Sequence, residues 1–200
     1  IARSFRIVYG RLVERVGMKF VLASASPRRK ELFKKIAEDF EIDAAKGEER
    51  AEKSLPPAKF CETLAAHKAR EIAAKKEHSG KIIVGADTVV ATDGGILGKP
   101  KDEENAKDML RRLSGREHSV FTGVCVIFPD GEETIACDET KVKFKPFTEE
   151  FISAYVAGGS PMDKAGAYGI QDGMPTEYVR GSIDNVVGLP TELLTRILRE

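Results

Sequence analysis

The sequence predicts an α/β protein built on a mixed sheet. Three observations carry that reading. Segments with helical and with strand-like periodicity alternate along the chain, as they do where helices cover a sheet. Lys81 to Ala91 contains a continuous apolar run, the mark of a strand buried on both faces. Two further strands flank Pro129-Asp130-Gly131, a hairpin signal, so the sheet is not purely parallel.

The elements follow in order. Residues 1–17 carry Arg3, Arg6, Arg11 and Arg15 against one Glu, and read as an N-terminal extension to a domain spanning 18–200. Lys19 to Ala23 is a short apolar strand, ended by Ser24-Ala25-Ser26. Ser26 is an N-cap with Pro27 at the first helical position, and Leu32, Phe33 and Ile36 give that helix an apolar face. Residues 41–58 are polar, acidic and proline-containing, and read as a loop. A helix over 59–76 places Phe60, Cys61, Leu64, Ala65 and Ile72 on one side. After the buried strand, Asp93-Gly94-Gly95 turns the chain. Asp102 caps a helix with Ala106, Met109, Leu110 and Leu113 inward, and Gly115 marks its stop. Strands over Ser119–Phe128 and Thr134–Phe144 come next, then a helix from Thr148 with Phe151, Ile152, Tyr155 and Val156. A glycine-rich stretch runs from Gly158 to Gly173, and a last helix over 190–199 turns Leu193, Leu194, Ile197 and Leu198 inward.

Composition narrows the function. The chain has 200 residues, 42% of them hydrophobic, which suits an ordinary globular protein and not a disordered one. Lys plus Arg and Asp plus Glu are 32 each, so bulk positive charge does not hold a nucleic acid here. No apolar run approaches the roughly 18 residues of a membrane span, and the first residues lack a secretory core. Cys61, Cys125 and Cys137 are odd in number without a Cys-x-x-Cys pair. That disfavours a disulfide framework or zinc site and points to a reducing cytoplasm. His67, His78 and His118 have no metal-ligand spacing.

Five places look chemical. Ser24-Ala25-Ser26-Pro27-Arg28-Arg29 joins two hydroxyls and two guanidiniums to a helix N-terminus, whose free N–H groups favour anions. Arginines there oppose the helix dipole, and a bound polyanion offsets that cost; the bland reading is a solvated basic turn. Asp87 interrupts the buried run Ile82–Val90, where a carboxylate needs a partner, a cation or a proton to accept. The functional reading puts it at a strand end opening on a cleft; the bland one is an acid leaving the core at the strand's end, or a structural cap on a neighbouring turn. Lys68 falls mid-stripe on the apolar helix face, either snorkelling or aimed into a cleft. Gly98-Lys99-Pro100 offers backbone access and a point charge. In Lys164-Ala165-Gly166-Ala167-Tyr168-Gly169-Ile170-Gln171, small residues admit a ligand and Gln171 can read both donor and acceptor edges of a base.

Taken together these segments resemble the Maf nucleotide pyrophosphatases. The match is carried by LASASPRRKEL at 22–32, VGADTVV at 84–90, LGKP at 97–100, LSGREHSVFTGV at 113–124, DKAGAYGIQ at 163–171 and IDNVVGLP at 183–190, in family order. The resemblance implies an elongated, two-lobed α/β fold with a central cleft, related to the inosine triphosphate pyrophosphatases. It implies cleavage of a nucleoside triphosphate to monophosphate and pyrophosphate with a divalent cation, Mg²⁺ or Mn²⁺, in a cytoplasmic and often dimeric enzyme. Asp87 becomes the general base or metal-linked acid. Ser24, Arg28 and Arg29 hold phosphates, and Lys68 and Lys99 match cleft lysines. Lys164 and Gln171 lie in the substrate-binding glycine-rich motif. The family acid after the first helix falls at Glu48, although the usual Asp-Glu pair here reads Gly47-Glu48-Glu49. Arg28, Thr88 and Gln171 match the dTTP/UTP type, where the 7-methyl-GTP type has Trp and Gln at the first two positions.

Two rival readings remain at this level: the same chemistry on a modified purine such as 7-methyl-GTP, and a non-catalytic nucleotide-binding regulator of cell division. Removing four Arg and one Glu of the extension from 32 and 32 leaves 28 basic and 31 acidic residues. A polyanion must then be held by a local cluster and a cation, not by overall charge.

Overall fold

The structure is a computed structural model that describes residues 19–47, 51–52 and 54–200. The extension expected over 1–17 and Glu48 both lie outside the described residues. Among the described residues seven strands form one mixed sheet: β1 Phe20–Leu22, β2 Glu41–Ile42, β3 Ile82–Thr92, β4 Gly95–Leu97, β5 Glu117–Ile127, β6 Glu133–Phe144 and β7 Thr176–Arg180. Their order is β2-β1-β3-β5-β6-β7, with β4 paired to β3. β1 runs parallel to β2 and β3, and every other pairing is antiparallel. Among the described residues six α-helices accompany them: α1 Pro27–Phe33, α2 Pro57–Ala73, α3 Glu103–Leu113, α4 Glu149–Ala157, α5 Ile183–Val187 and α6 Thr191–Arg199.

The expected caps are in place. Ser26, Asp102 and Thr148 accept the N–H groups of Arg29, Asn105 and Phe151 at the starts of α1, α3 and α4. Gly115 follows α3 at φ +67°, a left-handed stop. The sequence reading differs from the structure mainly in short pieces. Residues 41–58 hold β2 at one end and the first two residues of α2 at the other. β4, β7 and α5 lie in segments read as loop or left unassigned, since three to five residues cannot display a period.

Backbone contact seats α2 on the sheet. A Cβ on Gly85 would lie 2.4 Å from the Ala65 carbonyl oxygen, and one on Gly123 would lie 2.5 Å from the Cys61 carbonyl carbon. Strand alternation puts Gly85, Asp87 and, across the ladder, Gly123 on the face that α2 covers. Ala65, Ala66 and Ala69 complete this close approach from the helix side. The same seat brings Cys61 Sγ to 3.5 Å from Cys137 Sγ, and both thiols are free.

The other face carries two apolar clusters. One joins Leu22, Phe33, Val84, Val124 and Leu194; the other joins Val90, Leu110, Val120, Phe144 and Tyr168. Between them lies a polar belt of Thr88, Thr122, Thr140 and Asn185, the last three 0% exposed. The two lobes expected from the resemblance are these two clusters, with the cleft beside the belt.

Candidate active site

The cleft arises from a gap in the sheet. β1 pairs with β3 only as far as Leu22↔Val84, and β4 begins at Val90↔Leu97. On that edge Gly85–Val89 faces no strand among the described residues. The chain beyond β1 turns into α1 on one side of the gap, and Gly98-Lys99 leaves β4 on the other. A cavity of about 1080 Å³ opens there. It is lined by Ser24, Arg28, Arg29, Lys68, Asp87, Thr88, Lys99, Lys164 and Gln171. Nine of the ten residues singled out from sequence therefore meet in one place, and the tenth, Glu48, lies outside the described residues.

Asp87 sits in the middle of β3, not at a strand end, where the functional and the bland reading both put it. The gap, not a strand terminus, opens its carboxylate to the cleft. Oδ1 accepts from Lys68 Nζ at 2.5 Å, with the two side chains 12% and 16% exposed. Lys68 is thus a half-buried ion-pair partner that also reaches the cleft. Its helix position follows from Gly85, which lets Ala65 and Ala69, one turn apart on α2, approach the strand.

The basic helix start is built from several elements. Ser24, 7% exposed, accepts from the Ser26 N–H at 3.2 Å and from Arg29 at 3.4 Å. Arg29 Nε donates to the Gly188 carbonyl at 2.8 Å and its terminal nitrogen to Thr88 Oγ1 at 3.0 Å. The Thr122 hydroxyl donates to the Asn185 carbonyl at 2.9 Å, so the 3.0 Å contact between the two threonines uses the Thr88 proton. Thr88 keeps its lone pairs for Arg29. Asn185 Nδ2 closes the belt on Val120 O and Thr140 Oγ1 at 3.0 and 2.9 Å. Sequence reading missed Thr122, Asn185 and Gly188, because their contribution is to hold another residue 34 to 159 positions away.

Arg28 crosses the cleft to Asp163 at 2.7 Å. Burial alone would raise the Asp163 carboxyl, but hydrogen bonds from Arg28 and Lys164 bring it below its ordinary value. Lys164 differs from expectation. Its ammonium, 9% exposed, donates to the Ser160 carbonyl, to Ser160 Oγ at 3.0 Å and to Asp163 at 2.9 Å. All three donors are used within the chain, so in this geometry Lys164 ties its own turn together. Lys99 and Gln171 are exposed at the cleft wall.

The family described as "Maf-like protein" matches residues 19–200. A dTTP/UTP pyrophosphatase of Carboxydothermus hydrogenoformans is 48% identical over 186 residues, covering 92% of this chain and 98% of that protein. Proteins of the same name from Thermococcus gammatolerans and Bacillus velezensis are 46% and 44% identical, covering 88% and 91% of this chain and 94% and 96% of their own. Among solved structures, a HAM1 protein from Coxiella burnetii aligns with a TM-score of 0.51 at 17% identity, over 90% of this chain and 98% of its own, a likeness of fold.

Proposed function

The chain belongs to the Maf-like family, and from that premise we propose that it hydrolyses dTTP and UTP to the monophosphate and pyrophosphate. The observation that carries the chemistry is Asp87, a carboxylate inside an apolar strand, held by Lys68 and open to a cleft walled by cations. The carboxylate orients a water toward the α-phosphorus and takes its proton. The new P–O bond forms as the bond to the β-phosphate oxygen breaks. Arg28, Arg29 and Lys99 face the charge that builds on the leaving pyrophosphate. Gln171 reads the pyrimidine edge.

The site suits Mg²⁺ or Mn²⁺ in the manner usual for phosphate substrates, with one or two carboxylates and the substrate's own oxygens as ligands. Lys68 occupies Oδ1 of Asp87, and Oδ2 has no hydrogen-bond partner among the described residues. Asp87 and, from the resemblance, Glu48 would hold the cation, which neutralises phosphate charge when bound. Asp43, Glu77 and His78 also lie within ligand distance of one another. Asp43 there already pairs with Lys75 and His78, and none of the three lines the cleft.

Turnover of a triphosphate panel with Mg²⁺, with products identified, tests the proposal. We expect thymidine and uridine monophosphates with pyrophosphate, and a loss of about 10²–10⁴-fold in rate for Asp87→Asn. Faster turnover of 7-methyl-GTP would favour the purine reading. Tight binding without pyrophosphate release would favour a regulator.

A further inference from the structure

We propose that His118 is a positioning residue for nucleobase recognition, acting through the Tyr168 hydroxyl on the turn that carries Gln171. The inference rests on the pyrimidine reading of the cleft and adds a residue outside it. His118 is on β5, 3% exposed, and does not line the cleft. Its Nε2 lies 2.8 Å from the Tyr168 hydroxyl, 50 residues away, while Nδ1 is buried with no partner in hydrogen-bonding geometry. Burial pushes the imidazole down to about 4, against weaker upward pulls from the Arg116 carbonyl and Glu117, so it is neutral at pH 7. A polar ring is a poor choice for filling an apolar cluster; an apolar side chain fills it without desolvation cost.

What the ring contacts explains its presence. Tyr168 follows two consecutive left-handed residues, Gly166 at φ +68° and Ala167 at φ +60°. Ala167 is the one non-glycine residue with positive φ among those described, and such strain persists only where surrounding contacts fix it. Gly166 is pressed on β3, where a Cβ would lie 2.9 Å from Val90 Cγ2, and its N–H donates to the Gly98 carbonyl at 3.0 Å. The Tyr168 ring stands edge-on to Phe144 and His118, at 4.8 and 5.4 Å. Ring packing leaves rotation and depth free to adjust, and the hydroxyl bond to His118 removes that freedom. Beyond Tyr168, the Gly169 N–H donates to Tyr155 at 3.0 Å, and a Cβ on Gly169 would lie 2.6 Å from Gln171 Nε2. A shift of Tyr168 therefore reaches Gln171, three residues on, while Ser24 and Arg29 at the start of α1 are held separately by Thr88 and the Gly188 carbonyl.

Steady-state kinetics on the full chain separate position from stability. The substrate is whichever triphosphate the wild type turns over fastest, so failure of the pyrimidine reading appears in the wild type alone. For Tyr168→Phe and His118→Leu we expect KM to rise about three- to tenfold, more than kcat falls, as loss of one buried hydrogen bond permits. Inhibition by inorganic tripolyphosphate, which has no base, should stay at the wild-type Ki. His118→Gln, which keeps a polar group near Nε2, should recover part of the KM. The double variant H118L/Y168F leaves no orphaned polar group, so its Tm should return toward wild type while its KM stays high. If KM recovers along with Tm in the double variant, or if the tripolyphosphate Ki rises with KM, His118 is only a core residue and the assignment is overturned.

Discussion

At the scale of single residues, Asp87 and Lys68 each look misplaced alone, and each accounts for the other. A carboxylate in a buried strand and an ammonium on an apolar helix face are both costly, and their 2.5 Å contact offsets the two costs together. Removing one partner exposes the penalty. Lys68→Met should lower stability by about 3 kcal/mol in urea melts, while the double variant K68M/D87N should regain most of it and remain inactive. A double variant as unstable as K68M alone would mean that the pair is not the source of the cost. His118 gives a second prediction. Its folded value lies below its unfolded one, so between pH 6.5 and 4 the unfolded chain binds a proton that the native chain refuses. Its neutral burial contributes fully above pH 6.5, and a few kcal/mol are lost as pH falls toward 4. His118→Leu should flatten the stability curve across that window, and an unchanged slope would place the proton elsewhere.

At the scale of elements, the seat of α2 decides whether the pair forms. Gly85 and Gly123 admit the helix backbone so closely that a methyl group would overlap carbonyl atoms of Ala65 and Cys61. Backbone cannot swing aside as a side chain can. Gly85→Ala and Gly123→Ala should each cost about 1–3 kcal/mol or more, with kcat falling further than the Tm shift explains, since Lys68 leaves Asp87 as α2 lifts. Full activity in a folded Gly123→Ala variant would show that the helix has room. The loop-and-helix segment from Ser182 to Gly188 has a comparable part on the opposite face. Its carbonyls at Asn185 and Gly188 position Thr122 and Arg29. The ion pairs on exposed helix faces, such as Lys34–Glu31 and Lys107–Glu104, carry little by comparison.

At the scale of the molecule, the cleft divides the core without dividing the chain into independent halves. β3, β5 and β6 run 11, 11 and 12 residues, and β3 and β5 contribute side chains to both clusters on the α1 face. Neither cluster can melt while the other keeps those strands. Calorimetry should show one cooperative transition, raised by a nucleotide that binds the folded state. Two resolved transitions would mean that the lobes fold separately. The zero net charge also takes its meaning at this scale. Arg28, Arg29, Lys68 and Lys99 gather around one cavity in a chain with equal numbers of acids and bases. Attraction for a polyanion is therefore local.

The sequence by itself determined the class of fold, the long elements, their caps and nearly all the candidate residues. Those signals are local: a period, a cap or an acid in an apolar run lies within a few positions of its cause. Only the tertiary structure decided how the residues serve one another. It turned Asp87 from a strand-end acid into a mid-strand one exposed by a gap, paired it with Lys68, and assigned Thr88 to hold Arg29. It directed the Lys164 ammonium inward and gave His118 a reason to be buried. The pairings of Asp87, Thr88 and His118 join residues 19 to 59 positions apart. A one-dimensional pattern carries no distance of that kind. Packing supplies it, through two glycines that set the depth of a helix and a break in strand pairing that leaves a cleft.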